Sequence, residues 1–511
     1  MTTGLTASDP AAGFERRGDK KILVYAGHGD VPVIDPSIRY DAPVRTIQRA
    51  VYDALLKYVD SPPKVIPWLA ESYDVNDDGK TYTFHLVKNA KFHNGDPVTA
   101  EAVRWSFERT LKLKQGVSWM LADVLPPENI AVVDDHTARM TLNRPYAPFA
   151  SFIPWWFIMN PKETMAHAVD DDYGAKWLLD HDTGSGPYKV VRAELGKVWE
   201  LERVEDYWRG FDGPLDGIIY EMVREKAVQS AGLEKGDIDI VTGLTPDSFD
   251  RLSKLPGIKA STEPALTAFG LKFNTQTKYM SDVNIRKAVA YAYDYDAFIK
   301  IFNNRAKLQT SPFADAVKGK IDVPNMPRRD IAKAKEYLAK SQWPDGGIEL
   351  EFVYVSGFGA EQQMGLVLID ALRPLNIKVN MVPLSWTAML QRGATAETSP
   401  DIIAIFVTPV STDPDATAGQ YHPDAWGQYW GVHFYDNPEL KQLIEEGRRT
   451  IAWKDHEPIY RKIQQILVDG QPEVYGMMRE RMIMYRDWVG GFEFSPVMET
   501  SELDLYPLYI E

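Results

Sequence analysis

The chain has 511 residues, enough for about three folding units, or for two large ones that share crossing strands. Its 44% hydrophobic, 12% aromatic and 25% charged residues are those of an ordinary globular protein, which excludes disorder as the main state. With 57 Lys and Arg against 72 Asp and Glu the net charge is −15, so the surface repels phosphate backbones and anionic headgroups and no nucleic-acid partner is expected.

Residues Met1 to Lys21 are polar and carry no apolar core of the secretory type, so the expectation is either a cytosolic chain or one whose signal has been removed. KILVYAGHGD, Lys21 to Asp30, reads as an apolar strand entering a loop, and Pro43 to Tyr58 as an amphipathic helix. Leu69 to Leu86 alternates on both sides of the NDDG sequence, which predicts a hairpin. Thr99 to Leu111 follows as a helix with Thr99 as its N-cap and Glu101 and Glu108 bracketing an apolar stripe. Pro and Gly clusters up to Gly210 to Pro214 then punctuate short strands and loops. From Phe269 the pattern changes: an extended FGLKFN, a helix over Val283 to Phe302, and a strand, helix and strand at Leu350 to Val355, Ala360 to Leu375 and Ile377 to Leu384. This predicts an α/β unit with a parallel pair, continued by a strand at Asp401 to Val407 and by helices at Pro438 to Arg448 and His456 to Val468. The longest apolar run, Ile402 to Val407, is far short of the roughly 20 residues that span a bilayer, so a soluble protein without direct membrane insertion is expected.

Several active-site signatures begin and then fail. Asp74, Asn76, Asp78 and Gly79 have calcium-loop spacing, but the twelfth position is His85 instead of a carboxylate. The Gly a phosphate loop needs before Gly79-Lys80-Thr81 is Asp74. His456-Glu457 opens like a zincin helix whose second ligand would be Tyr460, and Gly184-Ser185-Gly186 lacks the spacing of a nucleophile elbow. The nine His are scattered and cysteine is absent, which excludes disulfides, thiolate nucleophiles, Cys-ligated zinc and a Cys-borne lipid; neither a metal nor another cofactor is expected. The aromatic load is heavy, with 14 Trp and 25 Tyr. Trp105 and Trp155-Trp156 read as packing, whereas the Gly- and Pro-interrupted run from Tyr421 to Tyr435 cannot bury every ring on one face, so part of it is expected to line a cavity.

The segment from Pro67 to Arg109, PWLAESYDVNDDGKTYTFHLVKNAKFHNGDPVTAEAVRWSFER, resembles the signature region of the bacterial extracellular solute-binding proteins of the peptide/nickel-binding family. The likeness continues in order through GSGPYKVV at Gly184, VEDYWRG at Val204, FNT at Phe273, NIRKAVAYAYD at Asn284 and TDPDA at Thr412. It implies an α/β, two-lobed periplasmic-binding-protein fold with two hinge-crossing strands, closing over a small-molecule solute and delivering it to a membrane ABC permease. By analogy lobe I takes residues 1–58, 184–271 and 486–511, residues 59–183 form a subdomain inserted in it, and lobe II takes 272–485. A monomer in the periplasm is expected, and no enzyme.

In peptide-binding members an Asp three residues before the acid-Pro pair holds the peptide ammonium; counting back from Asp413-Pro414, that position is Val410. Asp413 or Asp415 is the substitute if the loop shifts. The expectation is therefore a neutral or polyhydroxylated solute, an oligosaccharide or a sugar–amino-acid conjugate, with a di- or oligopeptide as the alternative. By motif position the candidate ligand contacts are His28, Asn274, Trp386, Phe406, Val410, Asp413, Trp426 and Trp430. A glycoside hydrolase would use the same aromatic wall but has no motif here, and a chaperone-like cleft would tolerate unrelated peptides.

Overall fold

The computed structural model describes residues 20–211, 215–498 and 502–511. Most of the leader and the Asp212 to Pro214 part of the turn cluster lie outside the described residues. The chain divides into two compact units: unit 1 takes the chain up to Arg144 together with Phe152–Glu263 and Arg481–Glu511, and unit 2 takes Pro145–Ser151 and Pro264–Glu480. It leaves unit 1 within the long strand Ile258–Phe273 and returns within the long strand Glu473–Arg486.

Unit 1 is built on a mixed sheet. Ile22–Gly27 pairs in parallel with Gly217–Met222 and Ile240–Thr242, with Ile22 opposite Gly217 and Tyr25 opposite Ile240. Val198–Arg203 and Tyr188–Glu194 extend the sheet antiparallel on one side. On the other, Ile483 to Tyr485 pair antiparallel with Ile240–Thr242. Strand ILVYAG is apolar throughout because both faces of the sheet are covered. Leu23 and Tyr25 face the core that holds Val44, Ile47 and Val51 of the helix Ala42–Val51. Ile22, Val24 and Ala26 face Leu233, Phe249 and Leu252 of two further helices. A separate four-stranded antiparallel sheet carries the predicted hairpin, with Tyr73 opposite Phe84 and Gly79 at φ +66 in its turn.

Three predicted elements differ in detail. The helix expected over Pro43 to Tyr58 stops at Val51, and Leu56–Val59 is a strand. The chain turns there so that the buried Asp53 carboxylate accepts from Trp68 Nε1 (2.7 Å), Tyr207 OH (3.0 Å), Trp208 Nε1 (3.1 Å) and Ser185 Oγ (3.1 Å). The helix expected over Val283 to Phe302 is two, Val283–Ala292 and Tyr295–Lys300, because Asp294 caps the second by accepting from Ala297 N. Thr99 does occupy the N-cap of Ala100–Leu113, but its side chain makes no cap bond.

In unit 2, Ile348–Val355 pairs in parallel with Ile377–Leu384 and with Ile402–Val407, and the last pairs antiparallel with residues 268–273. One face packs Leu350, Phe352, Ile402 and Ala404 against the helices Val283–Ala292 and Gly359–Leu372. The other places Val353, Ile403 and Ile405 against Met389 of the helix Trp386–Arg392 and against Val432. The predicted α/β unit with its parallel pair is present.

Candidate functional site

Side chains alternate across a strand, so Phe269, Leu271 and Phe273 enter the unit 2 core while Ala268, Gly270 and Lys272 look to the opposite face. There a small hollow of about 30 Å³ opens, walled by Ile405, Val407, Pro409, Pro312 and Ala314. Its polar floor is Lys272, Gln309, Thr417, Gln420 and Glu473. Lys272 Nζ lies 3.1 Å from Glu473 Oε2 and donates to Gln420 Oε1 at 2.5 Å. Tyr421 OH donates to the other Glu473 oxygen at 3.0 Å. Burial pulls the Lys272 ammonium below its ordinary range, and the Glu473 carboxylate pushes back. His433 stacks on Tyr421 at 4.5 Å, and burial with the nearby Lys272 charge keeps its ring neutral. The Thr417 hydroxyl is buried with no hydrogen-bond partner among the described residues, so the floor offers a polar atom.

The edge of the same sheet carries rings. Phe406 stacks on Phe358 with centroids 5.5 Å apart and lies 6.2 Å from Tyr429, which packs at 4.8 Å on Trp386. Tyr429 OH donates to the Phe406 carbonyl. Trp386, at the start of its helix, stays 43% exposed. Met389, Leu390, Ile405 and Tyr429 line a second, smaller hollow of about 10 Å³.

Of the residues singled out from the sequence, Trp386 and Phe406 come together through Tyr429. Trp426 packs edge-on against Phe434 at 6.1 Å, and its buried indole N–H has no partner among the described residues. Trp430 is half-buried in the same loop. The Asn274 side chain is committed within the protein, donating to the carbonyls of Ala396 and Ser399 in the segment before Ile402–Val407 and accepting from Gln276 N. Val410 is half-buried on the loop after Ile402–Val407. On that loop Asp413 accepts from Asp415 N at 2.9 Å, and burial, reinforced by Asp415, pushes its carboxyl up to about 7. Asp415 itself is held by Arg448 Nε at 3.0 and 3.1 Å. His28 belongs to unit 1, in the exposed loop after Ile22–Gly27, packed so close to Gly243 that a Cβ there would lie 2.3 Å from its Nδ1. Sequence reasoning missed Lys272, Gln420, Glu473, Thr417 and Phe358, while Tyr429 belongs to the aromatic run expected to line a cavity. A Lys in the middle of the apolar strand FGLKFN was the available signal, since a mid-strand charge must find a buried partner.

The model of the bacterial extracellular solute-binding proteins, family 5 middle, matches residues 64–428. The chain belongs to this family. As a family 5 protein it is similar to the probable D,D-dipeptide-binding periplasmic protein DdpA of Escherichia coli K12, with 28% identity over 94% of this chain and 93% of the relative. Among solved structures it resembles the ABC transporter substrate-binding protein CtaP of Listeria monocytogenes, at TM-score 0.86, 24% identity and coverage of 96% and 100%. It also resembles the AgaA binding protein of A. tumefacien R10 in complex with agropinic acid, at TM-score 0.80, 25% identity and coverage of 96% and 99%. The two-lobed periplasmic-binding-protein fold expected from the sequence is thus that of the family, and the periplasmic location agrees with it. The family 5 relatives are solute-binding proteins of ABC importers.

Proposed function

We propose that this protein captures a short peptide, two to a few residues long, and hands it to a membrane ABC permease as a monomeric carrier without catalytic activity or cofactor. The observation that carries the reading is the family 5 match over residues 64–428, to which the unit 2 hollow adds apolar walls beside a floor of carboxylate, ammonium, carboxamide and a hydroxyl without a partner among the described residues. A peptide alternates apolar side chains with amide donors and acceptors, and so matches that lining. The naming of a relative for D,D-dipeptides supports it. A neutral or polyhydroxylated solute, the first expectation from Val410, has no such support, although the ring cluster of Trp386, Tyr429 and Phe406 remains available to stack on a side chain. In this reading unit 1 serves as lobe I, with residues 59–183 apart from Pro145–Ser151 as its inserted subdomain, and unit 2 as lobe II.

Asp413 is the acid assigned to the peptide ammonium, because Asp415 is taken by Arg448 and Asp413 has no ion-pair partner among the described residues. The ammonium binds the ionised form. With the carboxyl near 7, affinity is highest above that pH and falls about tenfold per pH unit below it. The test is calorimetric titration with L,L- and D,D-dipeptides, tripeptides and tetrapeptides, and with oligosaccharides, from pH 5 to 8.5. Peptide binding that follows this profile in the wild type and disappears in Asp413→Asn is expected. Binding of oligosaccharides alone would refute the reading, and peptide binding unchanged in Asp413→Asn would refute the role of that residue.

A further inference from the structure

The polar floor of the unit 2 hollow holds more hydrogen-bond donors than the protein itself engages. Lys272, 3% exposed, has its Nζ 3.1 Å from Glu473 Oε2 and donates to Gln420 Oε1 at 2.5 Å, so two of its three N–H bonds are engaged. Accepting from an ammonium fixes which end of the Gln420 carboxamide is the oxygen, and its Nε2 has no acceptor among the described residues. The Thr417 hydroxyl, on a residue 4% exposed, has no partner among them either. Both Glu473 oxygens are engaged, one by Lys272 and the other by Tyr421 OH at 3.0 Å. The floor also has a spare acceptor: Gln309 gives its Nε2 to the Ser311 carbonyl at 3.4 Å, and its Oε1 has no donor among the described residues.

This floor carries no net charge. Lys272 and Glu473 cancel wherever the proton between them resides, and His433, stacked on Tyr421, is kept neutral by burial and by the Lys272 charge. On the short helix Asp415–Ala418 that carries Thr417, Asp415 is likewise paired with Arg448. A carboxylate entering the hollow would put a second negative charge beside Glu473, with one ammonium to serve two. An apolar group would leave the Thr417 hydroxyl and the spare N–H groups buried without acceptors. Size narrows the choice further, since a water needs about 10–15 Å³ and the hollow of about 30 Å³ admits a group of roughly two or three non-hydrogen atoms.

We propose that the hollow is the receptor for a carboxamide of the solute, whose carbonyl oxygen accepts from two of the donors on Lys272, Thr417 and Gln420 and whose N–H donates to Gln309 Oε1. The group is small, uncharged, and carries both an acceptor and a donor, as the lining requires. The proposal deepens the peptide reading and rests on it for the rest of the ligand, the carboxamide being the side chain of an Asn or Gln. The protein then selects peptides that carry one of these residues over their acidic and apolar isosteres.

Calorimetric titration at pH 7.5 compares Ala-Asn and Ala-Gln with Ala-Asp, Ala-Glu, Ala-Leu and Ala-Met, each in both sequence orders, and with dialanine, dialanine amide and glutaramide. The proteins are wild type, Thr417→Val, Thr417→Ser and Glu473→Gln. Wild type should bind the Asn or Gln peptides roughly 10- to 100-fold tighter than the acidic and apolar ones, the range of one or two buried hydrogen bonds. Thr417→Val should weaken the Asn and Gln peptides about tenfold and leave the Leu and Met peptides within about twofold, while Thr417→Ser keeps the preference. Glu473→Gln leaves Lys272 unbalanced and should turn the preference toward the Asp and Glu peptides; should it not fold, the two Thr417 variants decide alone. Equal binding of all three side-chain classes by wild type overturns the proposal and leaves the peptide reading standing. An equal loss for every peptide in Thr417→Val also overturns it, since backbone amides would then occupy the hollow. A preference seen only for dialanine amide over dialanine keeps the carboxamide and overturns its assignment to a side chain. If no peptide binds but glutaramide does, and less well in Thr417→Val, the peptide reading fails and the carboxamide position stands. If neither binds, both fail.

Discussion

Glu361 tests the electrostatics of the ring-bearing edge of unit 2. It lies in the first turn of the helix Gly359–Leu372, three residues after the Phe358 that stacks on Phe406. Its side chain is 1% exposed, and its recorded hydrogen bond is the one accepted from Val355 N at 2.8 Å. Burial outweighs that bond and pushes the carboxyl from 4.5 up to about 7. The folded state therefore holds this proton more tightly than the unfolded state does, so the stability it confers is complete below about 4.5 and is lost as pH rises to about 7. At 1.36 kcal/mol per pH unit that interval is worth about 3 kcal/mol. Glu361→Gln keeps an acceptor for Val355 N and cannot ionise. The variant should equal the wild type within about 1 kcal/mol at pH 5 and exceed it by about 2–3 kcal/mol at pH 8. Urea unfolding at half-unit steps from pH 4.5 to 8.5 measures both curves. Parallel curves would refute the reasoning, since the pH dependence would then belong to other groups.

Three further outcomes are expected. Lys272→Met leaves Glu473 buried beside only the Tyr421 hydroxyl and should cost about 3–5 kcal/mol in urea unfolding, with most of the loss recovered by adding Glu473→Gln; a cost under about 1 kcal/mol would refute the pairing. Asp35→Asn should cost a similar 3–5 kcal/mol or so in urea unfolding, because it strips the buried Arg109 guanidinium of its carboxylate. Thr417→Val should leave unfolding unchanged or raise stability by up to about 1 kcal/mol, since the hydroxyl has no partner to lose, while weakening binding of whatever solute fills the hollow.

Periodicity made much of the fold legible. The parallel pair at Ile348–Val355 and Ile377–Leu384 and the hairpin around Gly79 follow from runs that only one packing satisfies. Helix breaks were less legible, because what ends the first helix at Val51 is a carboxylate serving donors more than a hundred residues away. The site was the least legible part. Aromatic residues announced themselves by number, and two of those singled out, Trp386 and Phe406, do form one cluster. The polar floor is assembled from residues 272, 417, 420 and 473, whose meeting is decided by strand crossings that no local pattern encodes. Asn274 drew notice by its motif, and its carboxamide is consumed by the carbonyls of Ala396 and Ser399, more than a hundred residues further on.

The return of the chain to unit 1 at Arg481 sets an order of events during synthesis. The exposed edge of Ile240–Thr242 has no partner until Ile483 to Tyr485 emerge, and Arg45 and Arg49 have no counter-charge until Glu502 does. Leu503, Leu505 and Leu508, all buried in the core beside Leu23 and Tyr25, come later still. A nascent chain that has made every residue of unit 2 still carries an incomplete unit 1, with the pairings of longest separation left to last, where loop closure is slowest. Such a polypeptide stays unlocked until this last segment is made, the condition a protein needs if it is threaded across a membrane before it folds.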